Sequence, residues 1–200
     1  MDNLVQKLKS LAYDEKRCQQ VISKFSLAER KEALNALAQF ENINEERWIL
    51  NIVYHISPQI HDFIDSYTSG AYTRIREHQR GIQYDAKLGK LISDFMANSH
   101  MMPKYLKSCR HYSKSTSWYD YFSVNDTLEL DSFMSCARES SDFSYVLKPE
   151  AILVFNSCKQ GFYLGAMTRE SCEREVLFPA GSRFKLSEVR GNQYLLEEIA

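Results

Sequence analysis

The sequence predicts an α+β fold, and three observations carry that prediction. Up to Pro103 the apolar residues recur at helix spacing. Beyond Pro103 they gather into short runs separated by Gly and Pro turn signals. The two patterns follow one another instead of alternating, which predicts helices clustered against a sheet rather than a wound βαβ array.

The helical half is read in chain order. Leu4, Leu8 and Leu11 fall on one stripe, and Val21, Ile22 and Phe25 continue it. Ser26 precedes a run from Leu27 to Phe40 rich in Ala, Leu, Glu and Lys, all strong helix formers. Glu29 lies three residues after Ser26, the spacing of a capping box. Asn44-Glu45-Glu46-Arg47 starts another helix through Trp48, Ile49, Ile52 and Val53, which Pro58 stops or kinks. A helix follows from Gln59 to Tyr67, Gly70 interrupts, and Ala71 to Gln79 resumes. Leu88, Leu91, Ile92 and Phe95 form the last apolar helix face, ending near Asn98 and Pro103.

After Pro103 the strand-like runs are Tyr105–Cys109, Ala151–Phe155, Glu175–Phe178, Phe184–Leu186 and Tyr194–Leu196. Lys159-Gln160-Gly161, Pro179-Ala180-Gly181 and Arg190-Gly191-Asn192 are turn signals between them.

A chain of 200 residues with 44% hydrophobic content suits one domain, or one domain with a helical extension. No apolar run is long enough to span a bilayer, and the first residues lack a basic-then-apolar leader pattern. The five cysteines (Cys18, Cys109, Cys136, Cys158, Cys172) contain no Cys-x-x-Cys pair. That argues for buried thiols in a reducing compartment, and against a disulfide framework or a zinc site. His55 and His61, with Asp62, do not make a metal spacing either, so no metal is expected.

Net charge is −1, so the whole chain is no polyanion binder. Yet Thr68 to Lys114 holds nine Lys/Arg against three Asp/Glu, together with His78, His100, His111 and several tyrosines. Such a stretch can hold a phosphate-bearing ligand, or it can be a solvated helix face. The cluster Trp118, Tyr119, Tyr121, Phe122 can stack on a base or line a pocket, or it can be buried packing.

The sharpest chemical signal is Glu173-Arg174-Glu175 running into Val176-Leu177-Phe178. Two carboxylates two residues apart on a strand point to one face and repel each other. The spacing fits a solvated strand edge with alternating charge, and it fits a pair that does chemistry.

Two segments resemble the mono-ADP-ribosyltransferases of the Arg-Ser-Glu class, a family that includes clostridial binary-toxin components and phage-encoded transferases. Gly161 to Met167, a five-residue loop, and Glu173 to Leu186 are similar to that family's loop, Glu-x-Glu, strand, turn and strand. Ser66 to Arg76 is similar to the helical segment preceding its catalytic half. The resemblance runs from about Trp48 to the end. It implies a helical lobe packed on a mixed or antiparallel β-sandwich core, and NAD as substrate. It also implies a division into residues 1–45 (helical extension), 46–103 (helical part) and 104–200 (β-rich part).

For the family's serine motif, Ser115-Thr116-Ser117 competes with Phe133-Met134-Ser135-Cys136-Ala137. The second has the better flanks and makes Ser135 the motif serine, with Cys136 and Ala137 departing from the usual hydroxyls. The motif arginine is Arg110, expected where the first strand ends, followed by His111 where many members have Gly. By this resemblance Glu175 stabilises the positive charge that builds on the ribose as nicotinamide leaves, and Ser135 fixes its rotamer. Arg110 pairs with the pyrophosphate. His111 contacts the cofactor or faces solvent. Glu173 orients the acceptor and takes its proton. Arg169 and Glu170 lie in the target-recognition loop, where relatives often carry an aromatic residue.

The implied activity is cleavage of NAD and transfer of ADP-ribose to a protein arginine or a nucleic-acid base. The implied setting is a phage or bacterial toxin or effector acting in a cytoplasm, which leaves room for a neutralising antitoxin or immunity protein. An NAD glycohydrolase and a non-catalytic binding module on the same fold are the alternatives.

Overall fold

A computed structural model describes residues 10, 14–37, 57–104, 107–112, 121–138, 149–165 and 174–199. The chain divides into two units: Met1–Pro103 with Leu164–Ser171, and Lys104–Tyr163 with Cys172–Ala200. The helix read over Trp48–Val53, the Ser115-Thr116-Ser117 alternative, Trp118, Tyr119, Arg169, Glu170 and Glu173 all lie outside the described residues.

The first unit is helical. Helix α1 (Glu15–Ile22) is followed by α2 (Leu27–Leu37). The capping box at α2 is formed: Ser26 N–H donates to Glu29 Oε2 at 2.8 Å, and Glu29 N–H donates to Ser26 Oγ at 3.4 Å. Two backbone donors that helix geometry leaves over are thus satisfied reciprocally. Helix α3 (Pro58–Ser66) begins with Pro58 in its first turn, where a missing N–H costs nothing. Pro58 therefore starts a helix. A wide π turn (Tyr67–Ala71) leads into α4 (Tyr72–Gln79), and Gly70 takes φ 114° at the kink, a conformation side-chain-bearing residues avoid.

Helix α5 (Ala86–Asn98) is capped by Asp85, whose Oδ1 accepts from the N–H groups of Lys87 (3.0 Å) and Leu88 (3.1 Å). Those bonds, with Arg74 Nη2 at 2.6 Å from Oδ2, hold the Asp85 carboxyl below its ordinary range; the Leu88 N–H contributes most. Phe63 of α3 and Phe95 of α5 stack with ring centroids 4.0 Å apart, and Ile60, Ile64 and Ile75 are buried.

The described strands are β1 (Ser108–Tyr112), β2 (Thr127–Glu129), β3 (Met134–Ala137), β4 (Ala151–Asn156), β5 (Phe162–Gly165), β6 (Glu175–Phe178), β7 (Arg183–Arg190) and β8 (Gln193–Ile199), all in the second unit except the last two residues of β5. They form one eight-stranded sheet in the order β2-β7-β8-β4-β1-β3-β6-β5. The β4–β8 pair is parallel; β1–β3, β1–β4, β2–β7, β3–β6 and β7–β8 are antiparallel. The fold is α+β with a mixed sheet.

The sheet closes on itself. Strands β6 and β7 are five places apart in the order, about 24 Å along a flat sheet. Yet the Phe178 and Phe184 rings lie 5.1 Å apart, and Phe155 of β4 packs 5.1 Å from Phe178 and 4.8 Å from Phe184. This aromatic triad is the centre of a sandwich-type core, fully buried.

Gly161 shows how tightly the core is filled. A Cβ there would meet Phe178 and Val176 side-chain carbons at 2.9 Å. Gly161→Ala is expected to lower stability by about 1–3 kcal/mol through overpacking, measured by denaturant unfolding. An unchanged midpoint would show that β6 can shift to accept the methyl group.

Candidate active site

The site is built where β1, β3 and β6 lie side by side. Cys109 on β1 faces Ala137 on β3, and Ala137 faces Glu175 on β6. That row runs straight across three strands, so the three side chains share one face. Alternation along β3 puts Ser135 on the same face. Alternation along β1 puts His111 there too, next to Cys109 and opposite Ile152 of β4. Ser135, Glu175 and His111 are therefore brought together on one side of the sheet.

Arg110 stands on the other side of β1, between Cys109 and His111. It is half-buried, and its Nη1 donates to the backbone carbonyl of Ser135. Its guanidinium carbon also lies 5.4 Å from the Tyr112 ring centroid, a cation–π contact two residues along the same face of the strand. Among the described residues the β1–β3 register is Cys109↔Ala137 alone. At the next residue a side chain, not a backbone N–H, caps the β3 carbonyl. Arg110 thus sits within β1, not where that strand ends, and its first contact is with the serine's backbone.

Glu175 opens β6 and is buried, 6% exposed. A carboxylate withdrawn from water needs cations and donors nearby, or it takes up a proton. Arg174 and Arg138, the residues flanking the Glu175–Ala137 pair, are both buried, and Arg138 N–H donates to the Arg174 carbonyl at 3.0 Å. Arg174 has φ 44°, left-handed for a residue with a side chain, which costs on the order of 1–2 kcal/mol. The strand alternation that would align Glu173 with Glu175 needs extended backbone at residue 174. Here alternation begins at Glu175. Arg138 and Arg174 were not singled out from the sequence. Their signal was present, since each directly flanks a motif position, but single arginines beside motifs are common.

His111 is buried, 8% exposed, so the solvent-facing alternative for it does not hold. Cys136, the motif's middle residue, is buried with its side chain on the Arg110 face. Burial pushes its thiol far up; the Arg110 charge pulls it down by less, and the neighbouring Cys109, Cys158 and Glu175 oppose its ionisation. Cys158 is pushed up to about 12, first by burial and then by Glu198. Both remain protonated thiols at neutral pH, unsuited to nucleophilic work. Among the described residues no group of His, Cys, Asp and Glu is arranged to hold a metal ion, and no helix is long and apolar enough to cross a membrane.

Solved structures share this fold. The enzymatic component C2-I of the C2 toxin of Clostridium botulinum superposes with a TM-score of 0.56 at 15% identity, covering 72% of this chain and 43% of its own. The ADP-ribosyltransferase Vis of Vibrio splendidus, solved with an inhibitor, gives a TM-score of 0.59 at 15% identity, covering 94% of this chain and 86% of its own. The toxin BECa of a C. perfringens binary enterotoxin, solved with NADH, gives 0.57 at 17% identity, covering 74% and 45%. The chain thus spans less than half the length of the two clostridial components and most of the length of Vis. No protein-family model and no curated relative matches the sequence. The fold is that of the mono-ADP-ribosyltransferases, similar to the clostridial toxin components.

The Arg110 contact makes a direct prediction. Arg110→Lys keeps the charge but loses the planar fork that reaches the Ser135 carbonyl and lies against Tyr112. It is expected to lower unfolding free energy by about 1.5–3 kcal/mol, the scale of a hydrogen bond to a charged group. Unaltered stability in urea titration would leave Arg110 with a role toward ligand alone.

Proposed function

We propose that this protein is a mono-ADP-ribosyltransferase that cleaves NAD at the nicotinamide–ribose bond and passes ADP-ribose to a macromolecule. One observation carries the reading: a buried carboxylate, Glu175, opens an interior strand of the sheet on the same face as Ser135 and His111. The shared fold supports it, as does NADH in the BECa structure. Vis has been solved with agmatine, which bears a guanidinium; that favours a guanidinium as the acceptor here.

The residues divide the work as follows. Glu175 carries negative charge into a water-poor place, where it acts on developing positive charge with little screening. It faces the ribose and stabilises the charge that grows as nicotinamide departs. Ser135, on the neighbouring strand, donates its hydroxyl toward that carboxylate and holds its orientation. His111 lines the same face and packs against the cofactor. Arg110 is a positioning residue: it holds β3 at Ser135 from the opposite face of the sheet, so the pyrophosphate contact expected of it from the family resemblance passes to other residues. Glu173 takes the proton from the acceptor, and Arg169 and Glu170 meet the target surface. The protein acts in a cytoplasm, where NAD is supplied, as a toxin or effector that an antitoxin or immunity protein can restrain.

The test is incubation of the purified chain with NAD labelled in the adenylate, together with whole-cell lysate, followed by separate protease and nuclease digestion. Transfer is expected to leave label on material that one of the two digests. Glu175→Gln is expected to reduce nicotinamide release by about 10²–10³ or more. Glu173→Gln is expected to suppress labelling while NAD loss continues. NAD loss with no labelled macromolecule would make water the acceptor and overturn transfer. Equal NAD turnover by wild type and Glu175→Gln would overturn the catalytic assignment.

A further inference from the structure

We propose that the α4–α5 hairpin of the helical unit is a docking site for single-stranded nucleic acid, with Tyr84 as a stacking platform. The hairpin turn runs from Arg80 to Asp85 and turns two large apolar side chains outward: Ile82 is 69% exposed and Tyr84 84%. A loose loop can leave such residues in water by default. This one is tied down. Arg80 N–H donates to the Arg76 carbonyl (3.0 Å), Gly81 N–H to the His78 carbonyl (3.1 Å) and Ile82 N–H to the Glu77 carbonyl (2.9 Å). Gly81 takes φ 69°, where glycine alone is unstrained.

His78 fixes the platform. Its Nδ1 accepts from the Asp85 N–H at 3.0 Å, and its other edge lies over Gly89, where an added Cβ would stand 3.0 Å from Nε2. The wedged imidazole supports the Tyr84 ring, with centroids 5.6 Å apart and planes at 43°. The imidazole gives the tyrosine ring a neighbour at one edge while the residue stays 84% exposed, which leaves a ring face open to a base.

The charge around it is net positive. Tyr72–Asp94 contains Arg74, Arg76, Arg80, Lys87 and Lys90 against Glu77, Asp85 and Asp94, a net of +2. Arg74 is bonded to Asp85 at 2.6 Å and Lys90 to Asp94 at 2.5 Å. Arg76 and Lys87 stand beside Glu77 in the rest of the hairpin. An exposed aromatic ring on a hairpin of net positive charge matches what single strands need: a base face to stack and phosphates to neutralise. A duplex keeps its bases stacked on one another and leaves Tyr84 unused.

The binding is separate from the transfer reading and is measured without NAD. The full chain is titrated into a fluorescently labelled, mixed-sequence oligoribonucleotide and its DNA counterpart at low salt, with a duplex in parallel, and anisotropy is followed. Tyr84→Ala, whose exposed ring adds little to the core, is expected to weaken binding ~10-fold or more, while Tyr84→Phe binds like wild type. Lys87→Ser is expected to flatten the slope of log K against log salt by about 0.7. Thermal melting checks that each variant is folded. The proposal is overturned if no oligonucleotide binds at low salt, if Tyr84→Ala binds as wild type, or if the duplex binds at least as tightly. It is also overturned if the surface pairs with a second copy instead, seen as concentration-dependent sedimentation that Tyr84→Ala abolishes while no oligonucleotide binds. None of these variants touches Arg110, Ser135 or Glu175, so a failure here leaves the transfer test intact.

Discussion

The guanidinium of Arg110 on the carbonyl of Ser135 joins β1 to β3 where their backbone pairing stops, and the candidate site is arranged around that contact. Strands β1 and β3 meet at Cys109↔Ala137, and one residue further a side chain takes over from the backbone ladder. A charged donor on a backbone oxygen is stronger than a neutral one and has a fixed direction. It sets the height of β3 at the serine, and β3 in turn sets β6 through the register Ser135↔Leu177 and Ala137↔Glu175. Cys109, Ala137 and Glu175 thus lie in one row across three strands, with the arginine contact next to that row.

Burial of Glu175 is the second constraint. The aromatic triad Phe155, Phe178 and Phe184 closes the sheet from its other face, and β6 is buried at all four residues. The strand that carries the carboxylate cannot be exposed without opening that core. A fold gains no stability from an acid in such a place, since an apolar residue would pack at least as well. Buried Arg138 and Arg174 face each other one residue along from the Ala137–Glu175 pair, and Arg174 has left-handed backbone; buried acids with such neighbours are candidates for functional sites.

Much of the fold was legible from the sequence because its signals are local. The Ser26/Glu29 box, the Gly70 break and the Glu175–Phe178 run appear where propensity and turn chemistry place them. The short strands β2, β3 and β5 were not legible. Thr127–Glu129 and Met134–Ala137 are three and four residues long and owe their extended form to neighbours distant in sequence. The boundary of β1 moved for the same reason: pairing with Ala151–Phe155 of β4 holds Arg110 to Tyr112 extended, although no apolar alternation marks them. At the site, residue types could be read but faces could not. Arg110 and His111 exchange sides depending on where the strand begins, and only the register decides it. The alignment of Glu173 with Glu175 assumed an unbroken strand, which the left-handed Arg174 ends.

The most direct measurement is the structure of the protein with NAD bound. The account predicts the nicotinamide ribose within hydrogen-bond distance of the Glu175 carboxylate, on the side of the sheet that carries Ser135 and His111, with Arg110 still on the Ser135 carbonyl. A dinucleotide seated elsewhere, or a Glu175 carboxylate that remains enclosed and out of reach of the ribose, would contradict it.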